Sequence, residues 1–121
     1  KYYATDLGIA QIKNNNPEFK SYVVLENVVY NELINRNYEV YIGKTKNGEV
    51  DFLAKRDGSI KYIQVTYEMK GNESTIEREF GAYKSIEDNY PKYVISLDKI
   101  DLSRDGIIHL NLIDFLLSEE I

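Results

Sequence analysis

The 121-residue sequence has no cysteine and no tryptophan, one methionine, one histidine and two prolines. Without thiols there is no disulfide scaffold, no cysteine-ligated zinc site and no cysteine nucleophile. With His109 as the sole imidazole, transition-metal centres and Cys/His nucleophilic chemistry are excluded as well. Positive charge is in short supply: 15 Lys and Arg against 20 Asp and Glu leave a formal −5, the wrong sign for a protein that coats nucleic acid through bulk electrostatics. No apolar run approaches the ~20 residues that span a bilayer, and no charged-then-apolar leader opens the chain. The expectation is a cytoplasmic protein with no membrane partner. Lys1, followed at once by Tyr2 and Tyr3, suggests a piece of a longer protein.

What is present is ordinary for a folded domain: 43% hydrophobic and 29% charged residues. A chain of this length buries roughly two-thirds of its unfolded surface, so one core over residues 1–121 needs no metal or disulfide staple. Charge is unevenly spread. Between Lys44 and Lys70 six basic residues face four acidic ones, a local +2, whereas Lys84 onward sums to −4. Any nucleic-acid contact would start from the middle third; the bland alternative is a solvated mixed-charge hairpin surface.

Asn14-Asn15-Asn16-Pro17 is a breaker cluster that suits a helix start, with Asn16 as cap and Pro17 in the first turn, and the helix runs to about Arg36. Three runs rich in Val, Ile, Tyr and Phe follow, at Glu39 to Lys44, Glu49 to Lys55 and Ile60 to Tyr67. Asn47-Gly48 and Asp57-Gly58 separate them, and both dipeptides favour the left-handed backbone of tight hairpins. Ser74-Thr75-Ile76-Glu77 has capping-box spacing, and Ile76, Phe80, Tyr83, Ile86 and Tyr90 repeat at helical intervals up to Pro91. Tyr93 to Leu97 and Ile107 to Leu110 read as strands, and Leu112 to Glu119 as a closing helix. The order αβββαβ with a terminal βα predicts an α/β fold, a mixed sheet flanked by helices.

Some polar residues break these patterns. On a helical wheel Tyr22, Leu25, Val29, Tyr30 and Leu33 form one stripe, with Glu26 inside it, while Asn27, Asn31 and Asn35 collect on the opposite side. A carboxylate on a core-facing stripe must be paired, hydrogen-bonded, protonated or bound to a cation. Both a buried structural Glu and a site carboxylate satisfy that condition. If Asp57 and Gly58 are the two central turn residues, Asp51 lies directly across from Gln64 and Glu49 across from Thr66. A two-residue turn at Asn47-Gly48 would set Lys44 across from Asp51. These pairings hold unless a bulge intervenes. Asp51, Gln64 and Glu26 then supply the oxygen donors that a hard cation such as Mg²⁺ accepts; the alternative is a buried polar network in which Lys44 or a tyrosine neutralises Asp51.

These residues carry a resemblance. Glu49-Val50-Asp51-Phe52-Leu53-Ala54, then Tyr62-Ile63-Gln64-Val65-Thr66, preceded by a helix containing Leu25-Glu26-Asn27, looks like the PD-(D/E)XK, or restriction-endonuclease-like, fold. More narrowly, nearly the whole chain is similar to the uncharacterised C-terminal domain that follows the ATPase module of many prokaryotic AAA-type ATPases. Lys1-Tyr2-Tyr3, Thr5-Asp6-Leu7-Gly8, the Glu26-Asn27 helix, Gly48 to Phe52, Arg78-Glu79-Phe80 and Tyr90-Pro91-Lys92-Tyr93 fit that pattern. In active nucleases of the superfamily an Asp and a Glu on adjacent strands hold Mg²⁺ or Mn²⁺, a Lys two residues after the Glu assists the attacking water, and a helix acid often joins them. The resemblance assigns Asp51 to the motif Asp and Glu26 to the helix acid. Gln64 stands where the second acid belongs and Thr66 where the Lys belongs, and Lys44 on a neighbouring strand is the candidate replacement cation.

Neutral Gln holds a cation more weakly than Glu, and Thr offers no positive charge to a transition state. The resemblance therefore implies a nucleic-acid-associated accessory domain with weak or absent Mg²⁺-dependent phosphodiesterase activity. Its partners would be the ATPase module of the same longer chain and DNA. The rival is a non-catalytic interaction or scaffold domain that regulates or oligomerises the ATPase. Gly43-Lys44-Thr45 lacks the upstream glycine and following helix of a phosphate-binding loop, because position 38 is Tyr38. His109, set between apolar residues, reads as structural, and the eleven tyrosines read chiefly as core.

Overall fold

The computed structural model describes residues 17–45, 48–119 and 121, with side chains from Val23 onward. The Asn16 cap, Asn47 of the first hairpin turn, the Tyr22 ring and the Lys1 to Gly8 motif fall outside what is described. Helix α1 (Pro17–Asn35) is followed by strands β1 (Glu39–Thr45), β2 (Gly48–Arg56) and β3 (Ser59–Val65), helix α2 (Glu73–Gly81), strands β4 (Lys92–Ser96) and β5 (Ile108–Asn111), and helix α3 (Leu112–Leu117). The five strands form one mixed sheet in sequence order. The first three pair antiparallel, and β3, β4 and β5 run parallel. The expected α/β architecture, a mixed sheet flanked by helices, is the one observed. No helix among the described residues is long and apolar enough to cross a membrane.

Each sheet face has its own core. On one side α1 and α3 lay Leu25, Val29, Leu33, Leu112 and Phe115 against Phe52, Ala54, Ile63 and Val65. On the other, α2 and its flanking segments bring Met69, Ile76, Phe80 and Tyr83 onto Val50 and Val94. α1 ends where Asn37 takes a left-handed φ of 68° and the Tyr38 amide bonds back to Leu33 O at 3.0 Å, a Schellman-type stop. Arg36 then ties α1 to α3. Its Nη2 donates to Phe115 O (2.7 Å) and Ser118 O (2.8 Å) at the C-terminal end of α3, while Nε bonds Glu32.

Three expectations need correction. Asn27 is buried, not on a solvent face: its Nδ2 donates to Val23 O one turn earlier at 2.9 Å, while its Oδ1 is buried without a partner. The cap of α2 is Asn72, whose Oδ1 accepts from the Thr75 amide and the Ser74 hydroxyl, so Ser74 sits inside the first turn. α2 also stops at Gly81 rather than running to Tyr90. The chain continues in tight turns whose amides bond three residues back, from Tyr83 to Phe80 O and from Ile86 to Tyr83 O. The Tyr83 hydroxyl is thereby delivered to Tyr93 O at 2.7 Å in the core, while Tyr90 is exposed. A tertiary hydrogen bond overrides helical spacing here.

Candidate functional site

The β2–β3 hairpin turns at Asp57 (φ 52°) and Gly58 (φ 81°), both left-handed, and fixes the register expected from that dipeptide: Arg56 opposite Ser59 through to Phe52 opposite Ile63. The ladder stops at that pair. The next positions, Asp51 and Gln64, are joined through their side chains. The Asp51 amide donates to Gln64 Oε1 at 2.7 Å, and the Val65 amide donates to Asp51 Oδ2 at 2.9 Å. Each side chain thus supplies the acceptor for a backbone N–H that would otherwise lose its ladder partner.

The cause lies across β2. Tyr41 pairs with Leu53 and Gly43 with Val50, so Ile42 alone opposes both Asp51 and Phe52. This bulge changes the phase of the strand: Phe52 enters the α1-side core and Val50, two residues earlier, the α2-side core. Nearer the turn Thr45 already pairs with Gly48, so Gly48 belongs to β2 and is not a central turn residue as expected; Lys44 therefore pairs with Glu49 and not with Asp51, and its side chain is exposed. Thr66 is buried just beyond β3 with its amide bonded to Ile95 O at 2.9 Å, whereas Glu49 is exposed. The two do not continue the ladder as the ideal register implied.

Gln64 points to the α2 side, and its Nε2 approaches Glu79 Oε1 at 3.4 Å. Glu79 is 4% exposed, and its other oxygen meets Arg78 Nε at 3.3 Å. Burial pushes the Glu79 carboxyl up, the Arg78 guanidinium pulls it down, and the charge of Glu26 pushes it up again. Glu26, 3% exposed on α1, therefore acts on Glu79 from the other layer of the fold. The Tyr83 hydroxyl is held well above its ordinary range by burial and then by the Asp51 charge. Asp51, Gln64 and Glu79 thus form one neighbourhood with Tyr83 nearby, and the first three line a cleft of about 550 Å³ with Glu49, Arg78 and Lys84.

Glu79 was not singled out from the sequence as a site residue, although its signal was legible. It follows Ile76 by three and precedes Tyr83 by four, on the buried stripe of α2, just as Glu26 interrupts the stripe of α1. As placed, Asp51 Oδ2 and Gln64 Oε1 each hold a backbone hydrogen, both Glu79 oxygens face nitrogen donors, and among the described residues no three Asp, Glu or His side chains converge.

Residues 23–116 match the family model described as "Domain of unknown function (DUF4143)". A relative from Haemophilus influenzae, described as "Uncharacterized protein", is 32% identical over 118 residues, covering 97% of this chain and 28% of that protein. The chain thus spans little more than a quarter of that relative's length.

Proposed function

The chain belongs to the DUF4143 family, and on that premise we propose that it is a non-catalytic accessory domain, a restriction-endonuclease-like module whose ancestral metal position is stitched closed. In the longer protein its partner is an AAA-type ATPase module, which it regulates or oligomerises through its surface. The observation that carries this reading is the reciprocal pair of bonds between Asp51 and the Gln64–Val65 segment. Opening them to admit a cation would strand two backbone donors, at about 1–3 kcal/mol each. The substitutions support it too. Gln64 fits this position better than Glu because, besides the acceptor for Asp51 N–H, it carries a donor for Glu79. Thr66 is buried and brings no positive charge. The cleft is lined by Glu49, Asp51, Glu77 and Glu79 against Arg78 and Lys84, an excess of negative charge that repels a phosphodiester. The ATPase partnership rests on the resemblance and on the far greater length of the relative.

One observation favours the weak Mg²⁺-dependent phosphodiesterase instead: Glu79 places a second carboxylate beside Gln64, so a turn of the Gln64 amide would leave Asp51 and Glu79 facing one cleft. Supercoiled plasmid incubated with the domain and Mg²⁺ or Mn²⁺ decides between them. The accessory reading predicts intact plasmid, no salt-sensitive DNA binding, and association with the separately supplied ATPase portion of the longer protein. Nicking that disappears in Asp51→Ala overturns it.

A further inference from the structure

His109 lies on β5, 7% exposed and outside the cleft described above. The Leu102 amide donates to its Nδ1 at 3.2 Å; because an amide only donates, Nδ1 carries no proton and Nε2 does. Nε2 then donates to Ser96 Oγ at 2.7 Å. Ser96 Oγ also accepts from the Asp98 amide (3.1 Å) and donates to Asp98 Oδ2 (2.7 Å), which uses its full hydrogen-bonding capacity. Asp98 in turn accepts the Met69 and Lys70 amides at 2.7 and 2.9 Å. The bonds to Leu102, Ser96 and Asp98 fit a neutral ring, while a backbone hydrogen bond to Ile100 favours its protonation.

The loop from Lys99 to Gly106 is held by that ring at Leu102, by Ser103 Oγ, which accepts the His109 amide at 2.8 Å, and by an antiparallel bridge between Arg104 and Ile107. Arg104, Asp105 and Gly106 form one wall of a cavity of about 720 Å³, opposite Phe80 and Tyr90. We propose that His109 is a latch on this loop: the neutral imidazole holds Leu102, and protonation at Nδ1 sets two donors face to face, frees the loop and opens the cavity wall.

Among the described residues the charges acting on the ring are those of Asp98 and Asp101, both in the segment after β4, and both favour protonation. Burial opposes them and prevails, holding the ring below its ordinary range. β4 contributes the Ser96 hydroxyl, the segment after β3 contributes the Met69 and Lys70 amides, and Glu73 of α2 reaches toward Arg104 at 4.0 Å. The latch is therefore closed at neutral pH and opens in acid. An imidazolium strengthens the donation to Ser96, so the Asp98 half of the network stays in place.

Residue-resolved amide exchange on the 121-residue chain, corrected for the intrinsic pH dependence, tests this. As the ring titrates, Leu102 and His109 amides should lose about tenfold in protection, the scale of one hydrogen bond, while Met69 and Lys70 stay protected. His109→Asn, with an acceptor at the Nδ1 position, should keep Leu102 protected throughout; His109→Gln, which retains only the contact to Ser96, should leave it unprotected at neutral pH. Flat Leu102 protection across the ring's titration in the wild-type chain overturns the latch. So does loss of Met69 and Lys70 protection in step with it, which would mean that the whole domain opens.

Discussion

Two aspartates perform the same task where the chain leaves β3, Asp51 at Val65 and Asp98 at Met69 and Lys70, and only one of them resembles a catalytic residue. Asp98 accepts the Met69 and Lys70 amides and the Ser96 hydroxyl; Asp51 accepts the Val65 amide while its own amide goes to Gln64. Both sit where strand pairing lapses and backbone donors need an acceptor. Their surroundings differ. Burial pushes the Asp98 carboxyl up, but the donors around it and the nearby His109 bring it down below the ordinary carboxylate range. Asp51 instead shares its neighbourhood with the buried Glu79 and Glu26. A motif Asp can thus be a backbone clamp, and what distinguishes a site is the crowding of acids around it.

The comparison is broken or sharpened by four substitutions. Asp98→Ala should have the largest effect, about 3–5 kcal/mol of lost stability by urea unfolding, because it strands the buried Met69 amide, the partly buried Lys70 amide and the Ser96 hydroxyl. Asp51→Ala should cost about 2–3 kcal/mol, with Asp51→Asn recovering part of it through its amide oxygen. A negligible loss in either alanine variant would mean that the clamp is not what holds that segment.

Gln64→Glu, which places a carboxylate where the proposed nuclease resemblance would have one, should destabilise the domain by about 1–3 kcal/mol at neutral pH. It keeps the acceptor for Asp51 N–H but sets a carboxylate against Glu79. The penalty should shrink in acid, visible as a pH-dependent gap in melting temperature from the wild type. Glu79→Gln should have the smallest effect and the opposite sign. The folded-state carboxyl lies above its ordinary 4.5, so its contribution is fully present below that value and is lost as pH rises through the raised value. The variant should match the wild type in acid and exceed it at neutral pH; equal stability at both would show that Glu79 carries no such strain.

Much of the fold was legible because the turn chemistry was local. Asp57-Gly58 adopts the left-handed pair that such dipeptides favour, and the β2–β3 register follows from it. The β1–β2 register was not legible, since the extra residue at Asp51 and Phe52 serves two cores on opposite faces and nothing in the local sequence announces it. The length of α2 was overread because Tyr83 has helical spacing but answers to Tyr93 across the core. At the candidate site, Asp51 and Gln64 were brought together as expected, and Lys44 was lost because Gly48 pairs with Thr45 instead of turning the chain. Glu79 went unread although its stripe position matched the reasoning applied to Glu26. Asp98 offered no motif at all, because its partners are backbone amides that only the folded chain supplies.

The central claim is that the Asp51–Gln64 position is closed by hydrogen bonds rather than open to a metal ion. The direct measurement is the pair of amide resonances of Asp51 and Val65, followed through a Mg²⁺ titration into the millimolar range. The account predicts that both stay in place and stay protected from exchange. Saturable shifts of both resonances, with loss of Val65 protection and no such response in Asp51→Asn, would contradict it.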